Sequence, residues 1–168
     1  MCRHLKLTMV LVGLLWPLAC GAFQSADPFT YCATVGTIDV PDALYSGPET
    51  PDAVVSGLMK AMGMPADAPA KPFARLTTWR CMNGKVYACS FGANIPCREK
   101  ADTKRTPTAA MNAFCHANPA SDMIPAFVTG RATVYAWRCL DGAPAIVKEV
   151  TPPDAQGFLA AFWYEIST

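Results

Sequence analysis

The sequence predicts an α+β fold: a single small disulfide-stapled domain whose antiparallel sheet carries two equivalent β-hairpins beside two short helices. Three observations predict it. The segment Trp79-Arg80-Cys81-Met82-Asn83-Gly84 recurs 58 positions later as Trp137-Arg138-Cys139-Leu140-Asp141-Gly142. An Asn-Gly or Asp-Gly pair closing a strand is the strongest short signal for a two-residue type I′ turn. Six cysteines follow the first 26 residues, an even number that suits pairing in an oxidising compartment. Two Thr-Pro pairs, at Thr50 and Thr106, open stretches of helical period.

The chain begins with the three-part layout of a secretory signal. Arg3 and Lys6 give a positive start, Leu7 to Leu18 is an uncharged apolar run, and Ala19, Cys20, Gly21 and Ala22 supply small residues. We therefore expect residues 1–22 to be a signal peptide, with cleavage near 19–26, and residues 23–168 to form one exported domain. The apolar run is too short for a bilayer, which needs about 20 helical residues, so no transmembrane span is expected. Leu18-Ala19-Cys20-Gly21 partly resembles a bacterial lipobox, with Pro17 departing from the pattern. Acylation of Cys20 would tether the protein to a membrane without inserting it.

Removing the signal leaves twelve basic and thirteen acidic residues, near neutrality, and His116 as the one histidine. A balance so even gives no basic footprint for nucleic acid. About 145 residues bury roughly two thirds of their unfolded surface, so disulfides reinforce a core rather than replace one.

Taken in order, the segment from Tyr31 to Val40 reads as a strand or extended piece pinned by Cys32. Thr50 as N-cap, Pro51 at the first position and Asp52 start a helix. Val54, Val55, Leu58 and Met62 line it, and Gly63 stops it. Pro65 to Pro72 reads as an extended connector. Phe73 to Met82 and Lys85 to Phe91 form the first hairpin, pairing Met82 with Lys85, Cys81 with Val86 and Trp79 with Ala88. Trp79 and Cys81 then share one face, while Arg80, Tyr87 and Cys89 share the other. That parity argues against a Cys81–Cys89 bond. Cys89–Cys97 is favoured instead because it closes a compact loop with Gly92 and Pro96 to turn it. Thr106-Pro107 opens a second helix to about Ala117, with Ala110, Met111, Phe114 and Cys115 inward. The second hairpin runs over Ala132 to Leu140 and Ala143 to Val150, and Pro144 marks its return strand as an edge. Phe158, Leu159, Phe162, Trp163 and Ile166 fit a helical stripe, but the Phe162-Trp163-Tyr164 run suits a buried strand, the reading preferred for Phe158 to Ile166.

The six cysteines Cys32, Cys81, Cys89, Cys97, Cys115 and Cys139 lack the C-x₂₋₄-C spacing of a zinc site and the C-x-x-C of a redox dithiol. Three structural disulfides are expected, with no metal and no cofactor. His116 is the sole candidate general base, but Ser90 and Ser121 have no nucleophile elbow around them. Asp39 and Asp42 flank Pro41 as a candidate acidic pair. Arg98, Lys100, Lys104 and Arg105 form a basic run, diluted by Glu99 and Asp102. Arg80 and Arg138, at equivalent strand positions, are expected on an exposed face where a carboxylate or phosphate could be clamped. Asn94 and Ile95 top the loop between Cys89 and Cys97, a stapled surface suited to contact with a partner.

These features point to an exported, non-enzymatic binding or envelope accessory module, inhibitor-like in style, periplasmic or secreted. Its partner would be a protein or envelope component, and membrane contact would come only through an acylated Cys20. The two competing expectations are a small secreted hydrolase using His116 or an acidic pair, and a lipid-anchored structural component of the outer envelope.

Overall fold

Asp27 and Pro28 set the first element. In the computed structural model, which describes residues 24–167, the Asp27 carboxylate accepts hydrogen bonds from the Thr30 amide (2.8 Å) and hydroxyl (2.6 Å). Pro28 supplies the fixed φ of a first helical position, and α1 runs Pro28–Val35 until Gly36 turns left-handed at φ 76°. The strand expected over Tyr31 to Val40 is therefore a helix in its first half. The cap signal lies just upstream of Tyr31, so a reading begun at that residue misses it. The signal-peptide segment and Cys20 lie outside the described residues.

Helix α2 spans Asp52–Ala61, with Asp52 in its first turn and Lys60 in its last, each complementing the helix dipole. Its cap is Pro51 rather than Thr50: Pro51 is extended, and its carbonyl accepts the Val54 and Val55 amides. Val54, Val55, Leu58 and Met59 are buried, whereas Met62, expected on the inner stripe, is exposed. The end of the proline-rich connector coils into α3, Ala70–Ala74. Strands β1 (Thr77–Met82) and β2 (Lys85–Ser90) pair in the expected register, with Trp79 opposite Ala88 and Cys81 opposite Val86. Asn83 and Gly84 both have positive φ, 53° and 77°, as a type I′ turn requires.

Helix α4, Ala109–Ala117, is capped by the Thr108 hydroxyl, not by Thr106. Pro107 thus precedes the cap, and the shift leaves Ala110 exposed while Met111 and Cys115 are buried. A short α5 covers Ala126–Thr129. Strands β3 (Tyr135–Leu140) and β4 (Ala143–Glu149) form the second hairpin about Asp141 and Gly142, φ 51° and 80°, with a bulge at Ala136/Trp137. A 3-10 turn at Ala160–Phe162 and β5 (Tyr164–Ile166) replace the single expected tail strand. The architecture is α+β: among the described residues, five helices, a three-stranded antiparallel sheet in the order β1-β2-β5 and a two-stranded sheet β3-β4. No described helix is long and apolar enough to cross a membrane.

Three disulfides join Cys32–Cys81, Cys89–Cys97 and Cys115–Cys139. Two of them do the same job, tying a helix to the first strand of the hairpin that follows. The backbone repeats with them. Gly84 donates to the carbonyl of Gly36, four residues beyond Cys32, and Gly142 donates to Pro119, four beyond Cys115. Cys81 and Cys139 likewise donate to Ile38 and Ser121, each six residues beyond its helix cysteine. The chain is thus a tandem repeat of a helix, an exit segment laid along a strand, and a hairpin. The first copy is longer because α2 and α3 are inserted between its exit segment and its hairpin.

Each repeat has its own core. Tyr31, Val54, Leu58, Trp79 and Val86 pack in the first, and Met111, Val134, Trp137 and Leu159 in the second. The copies differ at the outer edge of the return strand. In the first, β5 pairs antiparallel with β2, Val86 facing Ile166. In the second, β4 carries no further strand among the described residues, and Pro144 occupies the position equivalent to Val86.

Candidate functional site

The repeat breaks most sharply at its two arginines. Arg138 is exposed as expected. Arg80 is fully buried, which overturns its expected place on a solvent face. The parity itself holds, since Arg80 points away from Trp79. That second face is covered by residues 154–163, and Phe158 and Trp163 form a third small cluster with the Cys89–Cys97 disulfide. The Arg80 guanidinium lies 4.6 Å from the Phe158 ring centre and 4.3 Å from that of Trp163. It donates to the Asp154 carboxylate and to the Gln156 side-chain oxygen. Burial pushes its pKa down, and the Asp154 charge opposes that shift. Arg80 and Arg138 therefore cannot clamp one ligand together.

Gln156 carries the network outward. Its amide donates to Asp39 Oδ1 at 2.8 Å, and Asp39 Oδ2 accepts from Lys100 Nζ at 2.5 Å. Lys100 also donates to the Gln156 carbonyl at 2.6 Å and sits 3.7 Å from the centre of the Phe158 ring. Asp39 and Lys100 line a cleft of about 450 Å³. Val40, Pro41 and Glu49 form one side, from the first exit segment and the loop before α2. Cys97, Arg98 and Lys100 form the other, just beyond the stapled loop, and Thr78, Trp79, Phe158 and Trp163 also line it. The Trp79 indole N–H donates to the Glu49 backbone carbonyl at 2.9 Å, which anchors that wall. The Arg98 guanidinium lies 4.9 Å from the Phe91 ring centre. Among the described residues, neither the Glu49 carboxylate nor the Arg98 guanidinium forms a salt bridge or a side-chain hydrogen bond.

The other expected site residues scatter. Asn94 is exposed and lines a separate groove of about 480 Å³ with Met123, Val147 and Val150. Ile95 folds back instead, its amide on the Gly92 carbonyl and its side chain packed against the third cluster. His116 is exposed on the last turn of α4 and lines neither cavity. Ser121 donates to the Met123 carbonyl at 2.8 Å. The Asp39 and Asp42 pair is split: Asp42 accepts the Tyr31 hydroxyl and caps the Leu44 amide, while Asp39 holds Lys100. Among the described residues no three or more His, Cys, Asp or Glu side chains gather as a metal site would need. Of the basic run, only Arg98 and Lys100 reach the cleft.

Sequence reasoning missed the cleft as a unit because its walls come from residues 39–49, 78–79, 97–100 and 158–163. The available signal was the Trp-Cys face parity, which left Arg80 on a face that needed either solvent or a cover. Comparison with protein families, curated proteins and solved structures gave no match.

Proposed function

We propose that the protein is an exported, non-enzymatic binding module whose ligand site is the cleft between the first exit segment and the Cys89–Cys97 loop. The observation that carries this reading is the unpaired Glu49 and Arg98 on the walls of one cleft, on a frame held by two disulfides. A disulfide-held backbone reduces the ordering that a ligand must impose on the site. Hydrolysis by His116 has less support, because that imidazole stands outside both cavities. The expected acidic pair is occupied by Tyr31 and Lys100.

Three disulfides and the absence of a described membrane-spanning helix are compatible with export. The partner class we propose is an envelope component, met in the periplasm or outside the cell. Capture from envelope extract on the immobilised, disulfide-intact protein tests the reading. Bound material should fall with Arg98→Glu and persist with Arg138→Glu. Equal capture by both variants would overturn the cleft as the site, and turnover of a hydrolase substrate panel lost in His116→Ala would overturn the non-enzymatic assignment. Intact mass from a native host tests export. A retained Met1 would refute it, and a diacylglycerol adduct on Cys20 would establish the lipid-anchored form.

A further inference from the structure

We propose that the cleft binds a zwitterion, a free amino acid or dipeptide with an apolar side chain, through Arg98 and Glu49. The inference rests on the cleft being the binding site. It follows from the charges that line the cavity and from what already neutralises each of them.

Four charged side chains line it: Asp39, Glu49, Arg98 and Lys100. Asp39 and Lys100 neutralise each other at 2.5 Å and are further held by Gln156. They bias the cleft toward neither sign. Glu49 and Arg98 remain, opposite in charge and without a salt bridge among the described residues. A simple anion would satisfy Arg98 but meet the Glu49 carboxylate. A simple cation would satisfy Glu49 but meet Arg98. A neutral sugar would leave both charges without a counter-charge. A molecule bearing an ammonium and a carboxylate satisfies both at once.

The supporting geometry fits that chemistry. The Phe91 ring lies 4.9 Å from the Arg98 guanidinium carbon, an aromatic support that leaves its N–H donors unspent. Those donors form the planar fork that matches a carboxylate bidentately. Glu49 offers two acceptor oxygens to an ammonium, and its backbone is held by the Trp79 indole. Most of the remaining lining is apolar, with Phe158 and Trp163 contributing to it and Val40 71% exposed. An apolar side chain placed there covers surface that water now meets. At about 450 Å³ the cavity stands at the small end of ligand clefts, with room for one or two amino-acid residues.

Calorimetric titration of the disulfide-intact protein tests this, using L-leucine and leucyl-leucine beside their N-acetyl and C-terminal amide derivatives. At least one free zwitterion should bind, and the arm that binds more tightly tells one residue from two. Blocking either end removes a charge-assisted contact and should weaken binding about tenfold or more. Glu49→Gln should abolish discrimination against the N-acetyl form, and Arg98→Gln discrimination against the amide. Both side chains are exposed, so urea midpoints should stay unchanged and confirm folding. Equal binding of blocked and free forms, or no binding of any up to about 10 mM, meaning an affinity weaker than about −2.7 kcal/mol, would overturn the proposal. Cleft-dependent capture from envelope extract under either result would leave the binding-module reading standing and the ligand class wrong.

Discussion

Replacing Arg80 by Met tests the most consequential contact in the fold. Met keeps much of the aliphatic volume between Phe158 and Trp163 but removes the charge and every donor. Asp154, with a side chain only 9% exposed, would then hold a carboxylate with no cation beside it. Breaking a buried ion pair from one side costs about 3–5 kcal/mol. For a domain of this size, that corresponds to a fall of roughly 6–20 °C in Tm. The Asp154 Oδ1 atom separately accepts the Gln156 and Phe158 amides at 2.9 and 3.1 Å, so an amide side chain at 154 can keep the loop turned. Asp154→Asn added to Arg80→Met should therefore recover a large part of the loss. Urea denaturation at neutral pH with the disulfides intact measures all three variants. A cost below about 1 kcal/mol for Arg80→Met, or strict additivity of the two substitutions, would refute the reasoning. Arg138→Ala serves as the internal contrast, and being exposed it should stay within about 0.5 kcal/mol.

Other outcomes follow from packing and chain entropy. Trp79→Ala and Trp137→Ala should each cost about 3–5 kcal/mol by denaturant unfolding, since both rings are buried in separate cores. Removing the Cys32–Cys81 bond, with its separation of 49, should cost about 1.6 kcal/mol more than removing Cys89–Cys97, with its separation of 8, if loop-closure entropy dominates. Paired Cys→Ala variants compared in urea decide that. Gly57→Ala should destabilise α2 despite a propensity gain of about 1 kcal/mol, because the new Cβ would stand 2.3 Å from Ile166 Cγ2; a rise in Tm would contradict this. The Thr30 hydroxyl and amide hold the Asp27 carboxyl below its ordinary range, so its contribution is complete above the unfolded value, near 4, and is lost as pH falls through the folded value. Asp27→Asn should flatten the acid limb of the stability curve, and an unchanged slope would exclude that carboxylate.

The parts of this molecule legible in its sequence are those governed by short, rigid geometry. Asn83-Gly84 and Asp141-Gly142 fix a turn type, the turn fixes register, and register fixes which face each cysteine takes. Parity argues only against Cys81–Cys89, and the short spacing with Gly92 and Pro96 to turn the loop is what favours Cys89–Cys97. Helix α1 was legible in principle, since Asp27-Pro28 is an N-cap followed by proline, but it abuts the signal-peptide region and Gly36 interrupts the apolar run after it. Arg80 was not legible. Parity shows which side of the sheet it takes, and only the return of Asp154 and Trp163 from more than 70 residues away shows that this side is covered. The cleft shares that difficulty, because Glu49 and Arg98 meet it from segments with no local pattern in common.

The single proline in the second return strand has a consequence for how copies of the chain behave together. Alternation along an antiparallel pair turns the Val86 N–H away from β1, toward β5. At the matching place in the second repeat, Pro144 has no N–H to offer, and Lys148 adds a charge further along the same strand. If that position could donate, the tail strand that closes one repeat would fit the other repeat of a neighbouring molecule. Such head-to-tail exchange closes into a ring or grows into an open fibre according to its rotation. Pro144 removes the donor that such pairing would use. In a Pro144→Val chain, light scattering should show mass rising with concentration where the parent stays constant.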